Sequence, residues 1–270
     1  EPTAQVICDL HSNSGSPSAI APRQVLIKII DLLKENDLKA IVAPELEFYL
    51  CEKNLDPNIP LQTPVGKSGR RANGSDVFGI DSINEFDVFL DDIYDYCETL
   101  DIGVDTLVHE SGPSQIEINL NHGGPLKLAD QTFMFKRAVR QVALKHGIHA
   151  TFMAKPHQGQ PGSSMHIHQN LVSIKNGNNI FSDENGKESE KFYNYIGGLQ
   201  TYLPDAMVFF APYVNSYRRF VIDASAPINT HWGFENRTVG LRVPLSSPES
   251  KRVENRIPGA DTCLLYTSPS

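Results

Sequence analysis

The sequence has few cysteines, no long apolar run and no surplus of positive charge, and each shortage removes a class of protein. Cys8, Cys51, Cys97 and Cys263 are its only four cysteines. They lie far apart and make no C-x-x-C pair, so neither a zinc cluster nor the disulfide framework of a small secreted domain is indicated. A reducing, cytoplasmic setting is the expectation. No stretch of about eighteen apolar residues occurs, which leaves no spanning helix. The formal charge of -8 argues against nucleic acid and anionic membranes as general partners, because both would repel the chain. Internal repeats, heptad arrays and low-complexity tracts are also missing.

What remains is an ordinary globular composition, 270 residues with 40% hydrophobic and 21% charged, enough to bury a large core. The chain opens on Glu1 rather than Met and runs at once into a strand-like segment, Ala4 to Leu10, so the natural amino terminus is expected to be missing. The stretch C-L-L-Y-T-S-P-S at 263–270 changes character abruptly and resembles translated sequencing adapter, so it is set aside as a non-native tail.

Helical and strand periods alternate, which predicts a single domain of mixed α and β structure. Pro22 to Asn36 carries an apolar stripe of Val25, Leu26, Ile29, Ile30, Leu32 and Leu33 behind a proline suited to a first turn. Further helices are predicted over Asn84–Leu100, Pro125–His146 and most of Glu188–Phe210. Strands are predicted over Leu38–Leu50, Gly103–His109, Gln115–Leu120, Ala150–Lys155 and Ser164–Leu171, with a hairpin-like turn at residues 175–178. Residues 52–76, rich in Asn, Gly, Pro and Ser, read as a long loop of the kind that often forms lids or binding segments.

Four constellations carry chemistry. In Pro44-Glu45-Leu46-Glu47-Phe48, strand alternation points both glutamates to one face, and two like charges side by side are costly unless a cation lies between them. A solvated polar face is the competing reading, set against apolar residues on both flanks. Glu110 and Glu117 are joined by a Gly-Pro turn and a returning strand, which can bring them to one end of a sheet. His166 and His168 form a second i, i+2 pair behind the Gly/Ser-rich approach Gly162-Ser163-Ser164, where backbone N–H groups can reach an anion. Downstream come Arg219, Arg237, Arg242, Arg252 and Arg256, with Glu254 between the last two. Arginine's planar donor fork suits phosphate and carboxylate. Together these residues point to a dication, a polyphosphate and an acidic substrate, with Mg²⁺ or Mn²⁺ favoured over zinc by the predominance of carboxylates.

Two decoys are set aside. The segment Leu61 to Ser68 ends like a phosphate-binding loop, but Leu61 replaces the leading glycine, Pro64 intrudes and no helix pattern follows. The triplets Asn73-Gly74-Ser75 and Asn236-Arg237-Thr238 match a glycosylation pattern that means little without a secretory context.

Taken in order, P-E-L-E-F, H-E-x-x-P-x-Q-x-E, A-T-F-M-A-K-P, G-S-S-M-H-I-H-Q, N-S-Y-R-R, N-R-T-V-G-L-R-V-P and R-V-E-N-R resemble the glutamine synthetase superfamily, type I, over residues 4–262. Within it the chain looks most like the γ-glutamylputrescine (γ-glutamyl-polyamine) synthetase branch. The resemblance implies an α+β catalytic domain over residues 1–262, a curved, largely antiparallel sheet flanked by helices. It implies that a small β-grasp domain normally precedes this part and that helices follow it. It further implies ATP and two or more Mg²⁺ or Mn²⁺ ions per site, and a homo-oligomer, dodecameric in the family, whose neighbouring subunit completes each active site. Exposed apolar surface is expected where the following helices are absent.

Carried residue by residue, Glu47, Glu110 and Glu117 match the ligands of one metal, and Glu45, His166 and Glu254 those of the second. His168, Arg237, Arg242 and Arg252 match positions on the ATP phosphates or the transferring phosphoryl group. Gly162, Arg219 and Arg256, together with His166, match the glutamate-binding positions. The activity implied is ATP-dependent formation of a γ-glutamyl amide through γ-glutamyl phosphate.

Three departures are informative. Ser225 stands where ammonia-using members carry a flap glutamate, which favours a larger amine such as putrescine. Pro161 replaces a common asparagine, and Asn170 a common serine beside the nucleotide. Ordinary glutamine synthetase is the alternative activity, and a non-catalytic structural relative is the alternative of another class. Intact candidate ligands argue against the latter, because a scaffold has no reason to keep buried ionisable groups. A guanidino kinase, which shares the catalytic fold, lacks the E-L-E and H-I-H motifs.

Overall fold

The computed structural model describes residues 4–74, 76–222 and 225–264. Helix α1 (Pro22–Glu35) starts on its proline, buries Leu26, and ends where Asp37 turns left-handed at φ 61°. That turn delivers the chain into β1 (Leu38–Glu52), a 15-residue strand around which the other elements are arranged. The long loop follows, then a short helix that was not predicted, α2 (Ile80–Asn84), and α3 (Asp87–Thr99) within the predicted Asn84–Leu100. The break lies at Glu85 and Phe86. Glu85 is recruited by the loop, accepting hydrogen bonds from Ser68 N on its carboxylate (3.0 Å) and from Lys67 N on its carbonyl (3.1 Å). Phe86, with φ -126°, leaves the helical region.

Strands β2 (Val104–His109) and β3 (Gln115–Leu120) form a hairpin, and α4 (Pro125–Lys145) runs from Gly124 to a left-handed Gly147. Strand β4 (Ile148–Thr151) starts and stops earlier than predicted, because Phe152 leaves the sheet to enter the core and the Thr151 hydroxyl accepts a hydrogen bond from Met153 N (3.2 Å). Strand β5 (Met165–Ser173) runs two residues past the predicted end, paired with β1 as far as Leu38 and Ser173. The segment 188–210 divides into α5 (Glu190–Tyr202), capped by the Ser189 hydroxyl on Phe192 N, and α6 (Met207–Phe210). Then come α7 (Val214–Tyr217), β6 (Trp232–Phe234), β7 (Leu241–Val243), a 3₁₀ turn and β8 (Val253–Asn255). Residues 4–10 form no strand. Their apolar side chains Val6, Ile7 and Leu10 are exposed, and an edge without a partner leaves its backbone groups to water.

The strands form one open, largely antiparallel sheet in the order β2-β3-β1-β5-β8-β7-β6, with β4 on the far end of β1; only β6 and β7 run parallel. Alternation along β1 sorts its two faces. Val42, Leu46, Phe48 and Leu50 join Ile116, Ile118, Met165 and Ile167 in a core covered by α1, α3 and α4. A second core lies between α5 and the far strands, built on Phe181, Phe192, Leu241, Val243 and Val253. The opposite set of β1, Glu45 and Glu47, is thereby presented with its neighbours on the uncovered face.

Exposed apolar side chains gather along 208–222, including Val208, Tyr213, Val214, Val221 and Ile222. No helix among the described residues is long and apolar enough to cross a membrane. Of the segment set aside as a tail, residues 265–270 lie outside the described part, Cys263 is exposed and Leu264 packs into the first core.

Candidate functional site

Register brings the candidate residues together. Glu47 pairs with Glu117 across β1 and β3, Glu45 with His166 across β1 and β5, His168 with Glu254 across β5 and β8, and Arg242 with Glu254 across β7 and β8. Directly opposed residues share a face, so four strands place their acids and histidines in one patch. Two compact trios result, Glu45–His166–Glu254 and Glu47–Glu117–His166, each with ligand atoms within 4.8 Å of one another. The first is the trio expected from sequence. In the second, His166 takes the place expected of Glu110, which sits on the β2–β3 turn with its carboxylate accepting from Ser111 N (3.2 Å).

Hydrogen bonds orient each acid. Glu47 is buried and its Oε2 accepts from Ser164 N (2.8 Å) and Gln115 Nε2 (3.1 Å), leaving Oε1 for the cluster. Asn119 Nδ2 donates to Glu117 Oε1 (3.1 Å). Glu254, 1% exposed, lies between Arg242 Nη1 (2.7 Å) and Arg256 Nη1, with His166 Nδ1 at 3.5 Å. Glu45 is held by both histidines, at 3.1 Å from His166 Nδ1 and 2.7 Å from His168 Nε2.

This packing splits the carboxylates into two classes. Burial, reinforced by the charges of Glu117 and Glu110, lifts Glu47 well above the usual carboxylate range. Burial and the charges of Glu45 and Glu110 push Glu117 up to about 8, and burial also raises Glu110. Burial works the same way on Glu45 but is outweighed by the hydrogen bonds from His166 and His168, which hold it well below that range. Glu254 is likewise lowered against the effect of burial, by His166 and Arg256. Burial, helped by Arg256, depresses His166 against the opposing pull of Glu45 and Glu254. Crowded buried acids beside an imidazole are a donor set whose repulsion a divalent cation relieves.

The arginines divide as well. Arg237 is exposed on the turn after β6, and its charge opposes the effect of burial on Glu110. Arg252 donates from Nε to His168 Nδ1 (3.1 Å). Arg219, read from sequence as a substrate contact, is 1% exposed and points inward, donating to the carbonyls of Ile257 (2.7 Å) and Arg256 (2.9 Å) and to the Ser164 hydroxyl (3.1 Å). It fixes the strand carrying Arg256 against the Gly162–Ser164 loop. Gly162 is required there, since a Cβ would come within 2.6 Å of both the Ala154 carbonyl and Arg219 Cγ. The buried Nε atoms of Arg219, Arg242 and Arg256 have no hydrogen-bond partner.

Beside Glu45 and His168 opens a cavity of about 590 Å³, reaching Asn119, His122, Asn170 and Arg252. The rejected loop at Gly66–Ser68 closes on itself through Gly66 N to Arg70 O (2.9 Å) and forms no phosphate cradle. Ser225 is exposed, while its neighbours Asp223 and Ala224 lie outside the described residues, as does Ser75 of the first glycosylation triplet. Sequence reasoning passed over Asn119, Gln115 and Tyr49. Tyr49 donates its hydroxyl to the Pro161 carbonyl (2.9 Å). Gln115 stood in the quoted H-E-x-x-P-x-Q-x-E motif, which was the available signal.

Residues 19–266 match the family model described as glutamine synthetase, catalytic domain. The chain is 39% identical over 95% of its length to the γ-glutamylputrescine synthetase of Escherichia coli (strain K12), covering 55% of that protein. It is 35% identical to a glutamate–isopropylamine ligase of Pseudomonas sp (97% of this chain, 57% of that one) and 38% identical to the glutamine synthetase of Pyrococcus abyssi (90% and 53%). Among solved structures, ligand-free GmaS superposes with a TM-score of 0.78 at 28% identity, covering 96% of this chain and 58% of that one. The chain thus spans little more than half the length of the curated relatives it matches.

Proposed function

The chain belongs to the glutamine synthetase family through its catalytic domain, and from that premise we propose that it is the catalytic part of an ATP-dependent glutamate–amine ligase, with putrescine or another organic amine as acceptor. The observation that carries the reading is the pair of acidic trios meeting at His166, with the guanidinium groups of Arg242 and Arg256 set against Glu254.

In this reading Glu45, His166 and Glu254 hold one divalent ion, Mg²⁺ or Mn²⁺, and Glu47 and Glu117 hold another, with Glu110 approaching from its turn. Such ions supply positive charge that neutralises a phosphoryl group in transfer. The cavity beside His168 and Arg252 takes the nucleotide, and Arg252 and Arg242 hold its phosphates. Arg237, exposed on its turn, stabilises the phosphoryl group as it passes to the γ-carboxylate of glutamate, giving γ-glutamyl phosphate. Arg256 and the Gly162 loop hold the glutamate, and Arg219 acts one step back by bracing both. The amine then attacks the γ-carbonyl and phosphate leaves. Active sites in this reading are completed in a homo-oligomer, a dodecamer by family likeness.

Two relatives named for organic amines, with Ser225 where an anionic ammonium site would lie, favour an organic acceptor over ammonia. The deciding experiment measures ATP- and glutamate-dependent phosphate release by the full-length protein with ammonium, putrescine, spermidine or isopropylamine. Release confined to organic amines is expected. Equal release at low ammonium would make the protein an ordinary glutamine synthetase, and no release with any acceptor would favour a non-catalytic relative.

A further inference from the structure

Gln115 is 1% exposed and carries no charge, yet it touches three parts of the site. Its Nε2 donates to Glu47 Oε2 (3.1 Å) and to the Gly162 carbonyl (3.0 Å), with the Ser163 hydroxyl at 3.4 Å. Its Oε1 accepts from Gly112 N (2.9 Å), within the turn that carries Glu110. Its backbone completes that turn, the carbonyl accepting from Glu110 N (2.8 Å) and the N–H donating to Gly112 O (3.0 Å). The amide has one orientation, because a flip would set its oxygen against the Glu47 carboxylate and the Gly162 carbonyl and its NH₂ against the Gly112 N–H.

The loop end of this link is stiff. Gly162 is pressed between the Ala154 carbonyl and Arg219, and Ser163 N donates to Ala154 O (2.9 Å). The preceding carbonyl, Pro161 O, is held by Tyr49, whose ring leaves no room for a side chain at Gly112. A shift of the Gly162 loop therefore reaches Glu47 by two routes that end on the same Oε2, from Gly162 O through the Gln115 amide and from Ser164 N directly (2.8 Å).

We propose that Gln115 is a positioning residue that couples the two halves of the site, so that an amino-acid carboxylate seated on the Gly162 loop tightens divalent-metal binding at Glu47, and the metal in turn tightens the substrate. The proposal rests on the ligase reading above. Linkage makes the effect reciprocal; Gln115 is the side-chain part of a contiguous hydrogen-bonded connection, and Ser164 N is its backbone part.

The test titrates Mn²⁺ into the full-length protein, following free Mn²⁺ by electron paramagnetic resonance with and without saturating glutamate. Wild type is expected to bind Mn²⁺ about 5-fold or more tightly when glutamate is present, in the usual range for coupled sites. Gln115→Met, of similar length and without polar atoms, and Gln115→Asn, too short to span Glu47 and Gly162, are expected to bind both ligands with the ratio reduced about 2-fold or more, the remainder being carried by Ser164 N on Glu47. Thermal melts identify a variant that does not fold, and the other then decides. An undiminished ratio in a folded variant, or wild type binding both ligands with no coupling, overturns the proposal while leaving the ligase reading intact. Failure of wild type to bind glutamate at all overturns the ligase reading, and this inference with it.

Discussion

Arg252 Nε donates to His168 Nδ1 across 3.1 Å, and since an arginine N–H cannot accept, the histidine proton must lie on Nε2, 2.7 Å from Glu45 Oε1. One arginine outside both trios thus sets the tautomer that holds a candidate metal ligand. Arg252→Met should lower activity roughly 10–100-fold, in the range for partners behind a metal ligand. Steady-state kinetics together with nitrogen chemical shifts of the His168 ring check this, and an unchanged tautomer would contradict it.

His166 belongs to both trios. His166→Ala in the full-length protein is expected to abolish activity and weaken two metal-binding events, whereas Glu117→Ala should remove one. Mn²⁺ stoichiometry by isothermal titration distinguishes the two variants, with circular dichroism confirming that the fold survives.

Metal affinity should rise with pH. Burial raises Glu47 and lifts Glu117 to about 8, so in the metal-free protein both groups stabilise the fold below the ordinary carboxylate value near 4.5, and the contribution of Glu117 fades as pH rises through 8. A dication replaces the displaced protons. The increase in melting temperature on adding Mn²⁺ should therefore grow from pH 6 to 8.5, and Glu117→Gln should flatten the trend. A pH-independent shift would contradict the electrostatic account.

Arg219→Met leaves the Ile257 and Arg256 carbonyls without their buried donor. Each orphaned acceptor costs about 1–3 kcal/mol, so roughly 2–6 kcal/mol of stability should be lost in urea unfolding. A residue used only to grip substrate would instead leave stability unchanged and raise the glutamate KM.

Much of the site was legible in one dimension because strand alternation is local. Glu45 with Glu47 and His166 with His168 are i, i+2 pairs, and parity alone sends each pair to one face. Helices α1 and α4 were legible for a similar reason, each marked by a proline at its start and α1 by an apolar stripe as well. Helix α2 and the break that follows it at Glu85 were hidden because Glu85 is held by Ser68 N, which comes from a distant loop. The strand expected at 4–10 failed because β propensity without a partner satisfies no backbone groups.

The sequence by itself determined which side chains exist to bind a cation and an anion, and the order of motifs that marks the family. Only the tertiary structure decided how they are shared: His166 serving both trios, Glu110 on its turn close enough to raise Glu47 and Glu117, Arg219 facing inward, and neutral Gln115 joining Glu47 to Gly162. The reason is physical. Which face a residue occupies follows from its own backbone, but which residue it meets follows from strand register and loop packing, set by contacts more than a hundred residues apart, as between Glu45 and His166.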